Sequence, residues 1–250
     1  MISRFDITDR VVCVTGASSG LGRALAGAFA EAGAKVVGIA RREDALREWQ
    51  RETNGTTAVC PADLSNPDAM AAIAVEAARP FGSPDILINA AGINPRKHAD
   101  DLTPEIWRQT MDLNLTTPFF LAQALVPAMK TKGWGRIVNI ASLQTERAFA
   151  NGVAYGASKG GIGQVTRAMA EAWSRHGITC NALAPGFFPT ELAAPVFADP
   201  ELSARNAAQT CIGRNGKLDD LTGPALFFCS PGSDYVTGQV LYVDGGFTAK

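Results

Sequence analysis

Val11-Val12-Cys13-Val14-Thr15 runs straight into Gly16-Ala17-Ser18-Ser19-Gly20-Leu21-Gly22, and Arg23-Ala24-Leu25-Ala26 follows at once. A short β-branched run, a glycine-rich turn and a helix-forming stretch read as strand, turn, helix. Gly16 can take backbone angles closed to other residues, Gly20 lets the main chain approach a ligand, and Gly22 permits close packing of helix on strand.

Outward from this unit the same alternation continues to the end of the chain. Apolar runs at 35–40, 56–60, 85–89, 136–142, 178–184 and 239–243 join 10–15 as predicted strands. Helical patterns are predicted at 21–32, 44–51, 67–78, 104–129, 153–176 and 218–229. Strands alternating with longer helices signal parallel βαβ units. The expected fold is α/β, a single Rossmann-type domain over 1–250 with a doubly wound parallel sheet of about seven strands and helices on both faces. Pro118 and Pro127 each remove an amide donor, so a break or kink is expected at those positions of the 104–129 pattern. The stretch from Pro185 to Asn215 has no clear period, and 186–215 is expected to form a substrate-binding loop or lid.

The chain has 250 residues, 46% hydrophobic and 19% charged, with a formal net charge of -1. Such a balance supports a large core and argues against a nucleic-acid stripe or a polybasic membrane anchor. No apolar stretch of signal-peptide or membrane-spanning length stands out, so a cytoplasmic protein acting on small molecules is expected. Cys13, Cys60, Cys180, Cys211 and Cys229 are odd in number and widely spaced, which suits reduced core thiols. With only His98 and His176, far apart in the chain, no metal site is expected.

The glycine spacing is Gly-x-x-x-Gly-x-Gly, and no Gly-Lys-Ser/Thr marks a nucleotide triphosphate site. Free amides and the positive end of the following helix would face the pyrophosphate of a dinucleotide. The second predicted strand ends in Ala40-Arg41-Arg42. An acidic residue there suits the adenosine ribose of NAD, whereas a guanidinium suits the 2'-phosphate of NADP, so NADP is expected over NAD. The alternative is a solvated arginine pair engaged with Glu43 or Asp44.

Tyr155 and Lys159 share one helix face at i and i+4. A phenol ionises too high for easy proton exchange near neutrality, but an adjacent ammonium stabilises the phenolate, making Tyr155 a plausible general acid/base. Ser142 stands at the carboxyl end of the fifth predicted strand, where open α/β sheets hold ligands. Taken alone, Tyr-x-x-x-Lys is a common surface pair and Asn114 a common turn residue.

Together these motifs resemble the short-chain dehydrogenase/reductase family over essentially the whole length. Thr15-Gly16-x-x-x-Gly20-x-Gly22 is similar to its cofactor turn, Asn89-Ala90-Ala91-Gly92 to its Asn-Asn-Ala-Gly element with Ala90 in place of Asn, and Asp63 to the acidic residue near the adenine. Asn114, Ser142, Tyr155 and Lys159 match its catalytic tetrad, and Pro185-Gly186 with Thr190 its nicotinamide segment. The resemblance implies NADP-dependent hydride transfer to or from a carbonyl or secondary alcohol. It also implies that Lys159 holds the nicotinamide ribose and Asn114 a proton-relaying water. The implied cofactor set is Gly16, Ser18, Ser19, Gly20, Leu21, Gly22, Arg41, Arg42, Asp63, Leu64, Asn89, Ala90, Gly92, Tyr155, Lys159, Pro185, Gly186, Phe188 and Thr190. A homotetramer joined through the 153–176 helix and the one before it is implied as well.

For substrate, Arg96, Gln144 and Arg147 are expected near the mouth of the site, where a guanidinium can hold a carboxylate. That suggests a keto sugar acid or polyol, although the same charges suit solvated loops. Within the family the chain is similar to the gluconate 5-dehydrogenase group and to 3-oxoacyl-carrier-protein reductases. A non-catalytic NADP-sensing protein, or an epimerase or dehydratase of the same fold, are the other classes left open.

Overall fold

The computed structural model describes residues 4–250. Its seven parallel strands are β1 (Val11–Thr15), β2 (Lys35–Ala40), β3 (Thr56–Pro61), β4 (Ile86–Asn89), β5 (Gly135–Ile140), β6 (Ile178–Pro185) and β7 (Val240–Val243). They form one sheet in the order β3-β2-β1-β4-β5-β6-β7. From β1 the chain winds outward to β2 and β3, then returns to lay β4 on the other side of β1. That reversal opens a crevice above the carboxyl ends of β1 and β4, the place where open α/β sheets take their ligands.

Among the described residues the nine α-helices are α1 (Gly20–Glu31), α2 (Glu43–Glu52), α3 (Met70–Ala78), α4 (Pro104–Met111), α5 (Thr117–Lys132), α6 (Val153–Trp173), α7 (Ala194–Phe197), α8 (Pro200–Gln209) and α9 (Thr222–Cys229). Strand side chains alternate between two buried faces. Val12, Val14, Ile86 and Ile88 pack with Leu25 and Phe29 of α1, Leu46 and Trp49 of α2 and Phe228 of α9. Cys13, Leu87, Ile137 and Ile178 meet Met70 and Ile73 of α3, Leu121 and Leu125 of α5 and Met169 and Trp173 of α6. Cys13, Cys60, Cys180 and Cys229 are buried free thiols, and Cys211 is exposed.

Two expectations are corrected. The 104–129 helix does break, but not at its prolines: α4 and α5 are separated by a π-helical turn, Asp112–Thr116. Pro118 directly follows that turn, whose widened helix accommodates the missing amide, and Pro127 is carried inside α5. Nor is the segment after β6 irregular. It holds α7 and α8, with Pro195 and Pro200 in their first turns. Asp199 caps α8, its Oδ1 accepting from the amides of Glu201 and Leu202, each at 3.0 Å. Asp199-Pro200-Glu201 is a helix-start signature that was readable in the sequence.

Candidate active site

The turn after β1 has the geometry its glycines require. Gly16 has φ +72° and Gly20 φ +55°, both in the left-handed region. A Cβ on Gly22 would stand 2.4 Å from the Gly16 carbonyl oxygen, so α1 can approach the strand this closely only without one. The Thr15 hydroxyl accepts from the amides of Ala90 and Ala91 at 3.0 and 3.1 Å, tying the turn to the loop after β4. Ser19, at the N-cap of α1, makes no side-chain cap bond, leaving the first amides of the helix directed at the crevice. Its hydroxyl instead accepts from Arg42 Nη2 at 2.7 Å, and Ser18 accepts from the same nitrogen at 3.3 Å. This glycine cradle, open helix end and guanidinium fit a phosphorylated dinucleotide.

The cleft that begins here has a volume of about 900 Å³ and reaches Ser142, Tyr155 and Lys159. Tyr155 and Lys159, one turn apart on α6, are 8% and 5% exposed. Burial pushes the Tyr155 phenol up; the neighbouring Ser142 hydroxyl and the positive charge of Arg96 act the other way. Burial brings the Lys159 ammonium down to about 8. The ammonium that the spacing sets near the phenol is itself anchored to the sheet. Lys159 Nζ lies 5.6 Å from the Tyr155 ring centroid and donates to the Ile140 carbonyl oxygen at 2.6 Å.

Ser142 falls just beyond β5 rather than inside it. It caps the short 3-10 turn Leu143–Thr145, its hydroxyl accepting from the Gln144 amide at 3.1 Å. Asn114 sits in the π-helical turn and is 1% exposed. Its Oδ1 accepts from the Ile93 amide, and its Nδ2 donates to the Ile93 carbonyl and to the Ser158 hydroxyl, at 2.9, 2.9 and 3.1 Å. The carboxamide therefore braces the loop after Gly92 from behind the cleft wall.

With this geometry in place, the family model described as enoyl-(acyl carrier protein) reductase matches residues 16–248. The chain belongs to the short-chain dehydrogenase/reductase family. It is 39% identical to gluconate 5-dehydrogenase of Gluconobacter oxydans over 98% of this chain and 97% of that one. It is 36% identical to 2-dehydro-3-deoxy-D-gluconate 5-dehydrogenase of Escherichia coli over 100% of both chains. A crystal structure of a gluconate 5-dehydrogenase from Burkholderia cenocepacia in complex with NADP and tartrate superposes with a TM-score of 0.93 at 37% identity, covering 99% of this chain and 98% of that one.

Most residues that the resemblance to short-chain dehydrogenases singled out line the cleft: Gly16, Ser18 to Gly22, Arg41, Arg42, Asp63, Leu64, Ala90, Gly92, Pro185, Gly186, Phe188 and Thr190, with Arg96 and Gln144 on the substrate side. Asp63 accepts from the Ser65 amide, which holds its carboxyl low, and Arg41 adds to that. Asn89 is placed elsewhere. It is buried beneath the loop, donating to Asn139 Oδ1 at 2.8 Å and to the Pro118 carbonyl at 3.4 Å. Arg147 also turns away from the cleft and donates to the Lys250 carbonyl at 3.0 Å. Arg96 has φ +49° and donates to the Leu192 carbonyl at 3.3 Å. Sequence reasoning missed Arg205, Asn206 and Gln209, which α8 brings to the cleft wall. The helix-start signature at Asp199 was the signal that could have found them.

Proposed function

We propose that this chain is an NADP-dependent dehydrogenase/reductase that interconverts a secondary alcohol and a ketone on a sugar acid or polyol. The observation that carries this reading is the buried Tyr155 phenol, which stands with Ser142 in the cleft onto which the glycine turn and the N-terminus of α1 open. When bound, the nicotinamide supplies or accepts the hydride.

The chain's own residues manage the proton and the orientation. Burial keeps Tyr155 in its neutral form, which is the form that donates a proton to the substrate oxygen during reduction. Ser142 shares that oxygen, and Lys159, fixed on β5, offers donors for the nicotinamide ribose. Asn114 supports a relay water behind Gly92. Gly16, Ser18 to Gly22, Asp63, Leu64, Ala90, Gly92, Pro185, Gly186, Phe188 and Thr190 enclose the dinucleotide, and Arg41 and Arg42 select its 2'-phosphate. The NADP named for the Burkholderia structure supports that cofactor.

Substrate class follows from the outer half of the cleft. Arg96, Gln144, Arg205, Asn206 and Gln209 supply a cation-rich, amide-rich wall suited to hydroxyls and a carboxylate. The gluconate and deoxygluconate dehydrogenases among the relatives support a sugar acid. The segment from 186 to 215 acts as the substrate lid of the single domain. Comparing kcat/KM for 5-ketogluconate, a neutral ketose and an acetoacetyl thioester with NADPH tests this. Preference for the thioester would give the chain to the acyl reductases instead, and no turnover on any of them would favour a sensor.

We infer that the protein works in the cytoplasm as a homotetramer. Five free cysteines, four of them core residues, support a reducing compartment. Exposed Trp107 on α4 and Phe120 on α5, with Ala157, Ala168 and Ala172 facing outward from α6, offer the apolar surface that subunit contacts would cover. Light scattering of the purified chain reads the assembly directly.

A further inference from the structure

Arg42 does not stand open at the end of β2. Its Nη1 donates to Glu191 Oε1 at 3.1 Å and its Nη2 to Oε2 at 3.0 Å, a two-point pairing of guanidinium and carboxylate. The same Nη2 reaches the hydroxyls of Ser18 and Ser19 in the glycine turn. Glu191 comes from the opposite wall of the crevice. It follows Thr190 at the start of the lid segment, whose next residue, Leu192, is tied to Arg96. The carboxylate thus reaches across the cofactor channel to one of the two cations at the end of β2 that suit a ribose 2'-phosphate.

We propose that Glu191 is a cofactor-selectivity residue, an internal anion that occupies Arg42 and must be displaced when a dinucleotide bearing a 2'-phosphate binds. The proposal rests on the NADP reading above. A planar guanidinium matches a carboxylate and a phosphate through the same fork, so the Nη1/Nη2 edge that Glu191 holds is closed to a phosphate until the carboxylate moves. A carboxylate left beside the incoming phosphate adds like-charge repulsion. NAD carries a neutral hydroxyl at that carbon and asks for no exchange. Glu191 therefore weakens NADP relative to NAD, and it ties the arrival of the phosphate to release of one of the arginine contacts that hold the lid.

Both side chains are more than half exposed, at 53% and 65%, so their replacement leaves the core intact and the pair has the modest strength of a solvated one. Isothermal titration of the purified chain, without substrate, with NADP, NAD, 2',5'-ADP and 5'-AMP reads the effect apart from turnover. Glu191→Gln should tighten NADP and 2',5'-ADP by roughly twofold to fivefold while NAD and 5'-AMP stay within error. In an Arg42→Ala background the same substitution should do much less, because the exchange at that guanidinium is gone and only the like-charge repulsion remains. Equal tightening of both cofactors, no tightening of NADP, or an undiminished effect without Arg42 would each overturn the proposal and leave the NADP reading standing. A wild-type chain that binds NADP no better than NAD, with Arg42→Ala and Arg41→Ala both silent, would remove the cofactor reading and this inference with it.

Discussion

Lys159 donates from its buried ammonium to the carbonyl oxygen of Ile140, the last residue of β5, at 2.6 Å. The contact joins α6 to the sheet at the floor of the cleft and fixes the lysine one helical turn from Tyr155. It also holds a charge where water is scarce, and burial lowers that lysine from 10.5 to about 8. Between those two values the unfolded chain keeps a proton that the folded chain has lost. Stability therefore rises with pH across that window on this residue's account, and below it the folded state bears the whole cost of the buried charge. In urea unfolding, the stability of Lys159→Met minus that of wild type should fall by about 2 to 3 kcal/mol between about pH 7 and about pH 10. A difference that stays level over that range would mean the ammonium is better solvated than its surroundings imply.

Tyr155→Phe removes the phenol hydroxyl and keeps the ring. Turnover should fall by about 10²- to 10⁴-fold, the usual contribution of a general acid/base, with NADP affinity nearly unchanged. Fluorescence titration beside steady-state kinetics separates the two. Matching losses in binding and turnover would recast Tyr155 as a structural residue.

Asn89 was expected to hold cofactor, yet its carboxamide belongs to a buried chain that links β4, β5 and α6: Asn89 to Asn139 at 2.8 Å, and Asn139 to Thr166 at 2.9 Å. Asn89→Ala strands the Asn139 acceptor, which should cost about 1–3 kcal/mol of stability. Denaturant melts should register this while the NADP dissociation constant stays put. A weaker cofactor complex in a fully stable variant would restore the original reading.

Arg96 and Arg147 looked equivalent as carboxylate partners. Only Arg96 lines the cleft and bears electrostatically on Tyr155; Arg147 is spent on the Lys250 carbonyl. Arg96→Ala should raise KM for a sugar acid by roughly 10- to 100-fold, the worth of a charge-assisted hydrogen bond, and change a neutral polyol far less. Arg147→Ala should leave both nearly as they were. Equal effects of the two substitutions on the acid would show that the C-terminal contact yields to substrate.

How much of this was legible varied with the range of the interaction. Strand positions were readable to within about two residues because a sheet covered on both faces demands apolar residues at every step. The 104–129 helix was misjudged at its break. Pro118 announces lost hydrogen bonding, and the helix absorbs it not by breaking at the proline but in the π-helical turn just before it, which carries Asn114. Helix α7 carries no period because it is only four residues long, and α8 none because its one buried residue is Asn206, which leaves no apolar stripe to count. Glu191 carried no sequence signal at all, since its partner lies across the cleft on another βα unit.

The sequence by itself determined the parallel sheet, the glycine cradle and the presence of Ser142, Tyr155 and Lys159 near one edge. These follow from local backbone demands and from a side-chain periodicity that any reader of the chain can count. Only the tertiary structure decided which polar groups meet: Lys159 with Ile140, Asn89 with Asn139, Arg147 with Lys250, Arg42 with Glu191. Long polar side chains reach whatever acceptor the packed elements bring within about 3 Å, and that neighbourhood exists only once distant segments have come together.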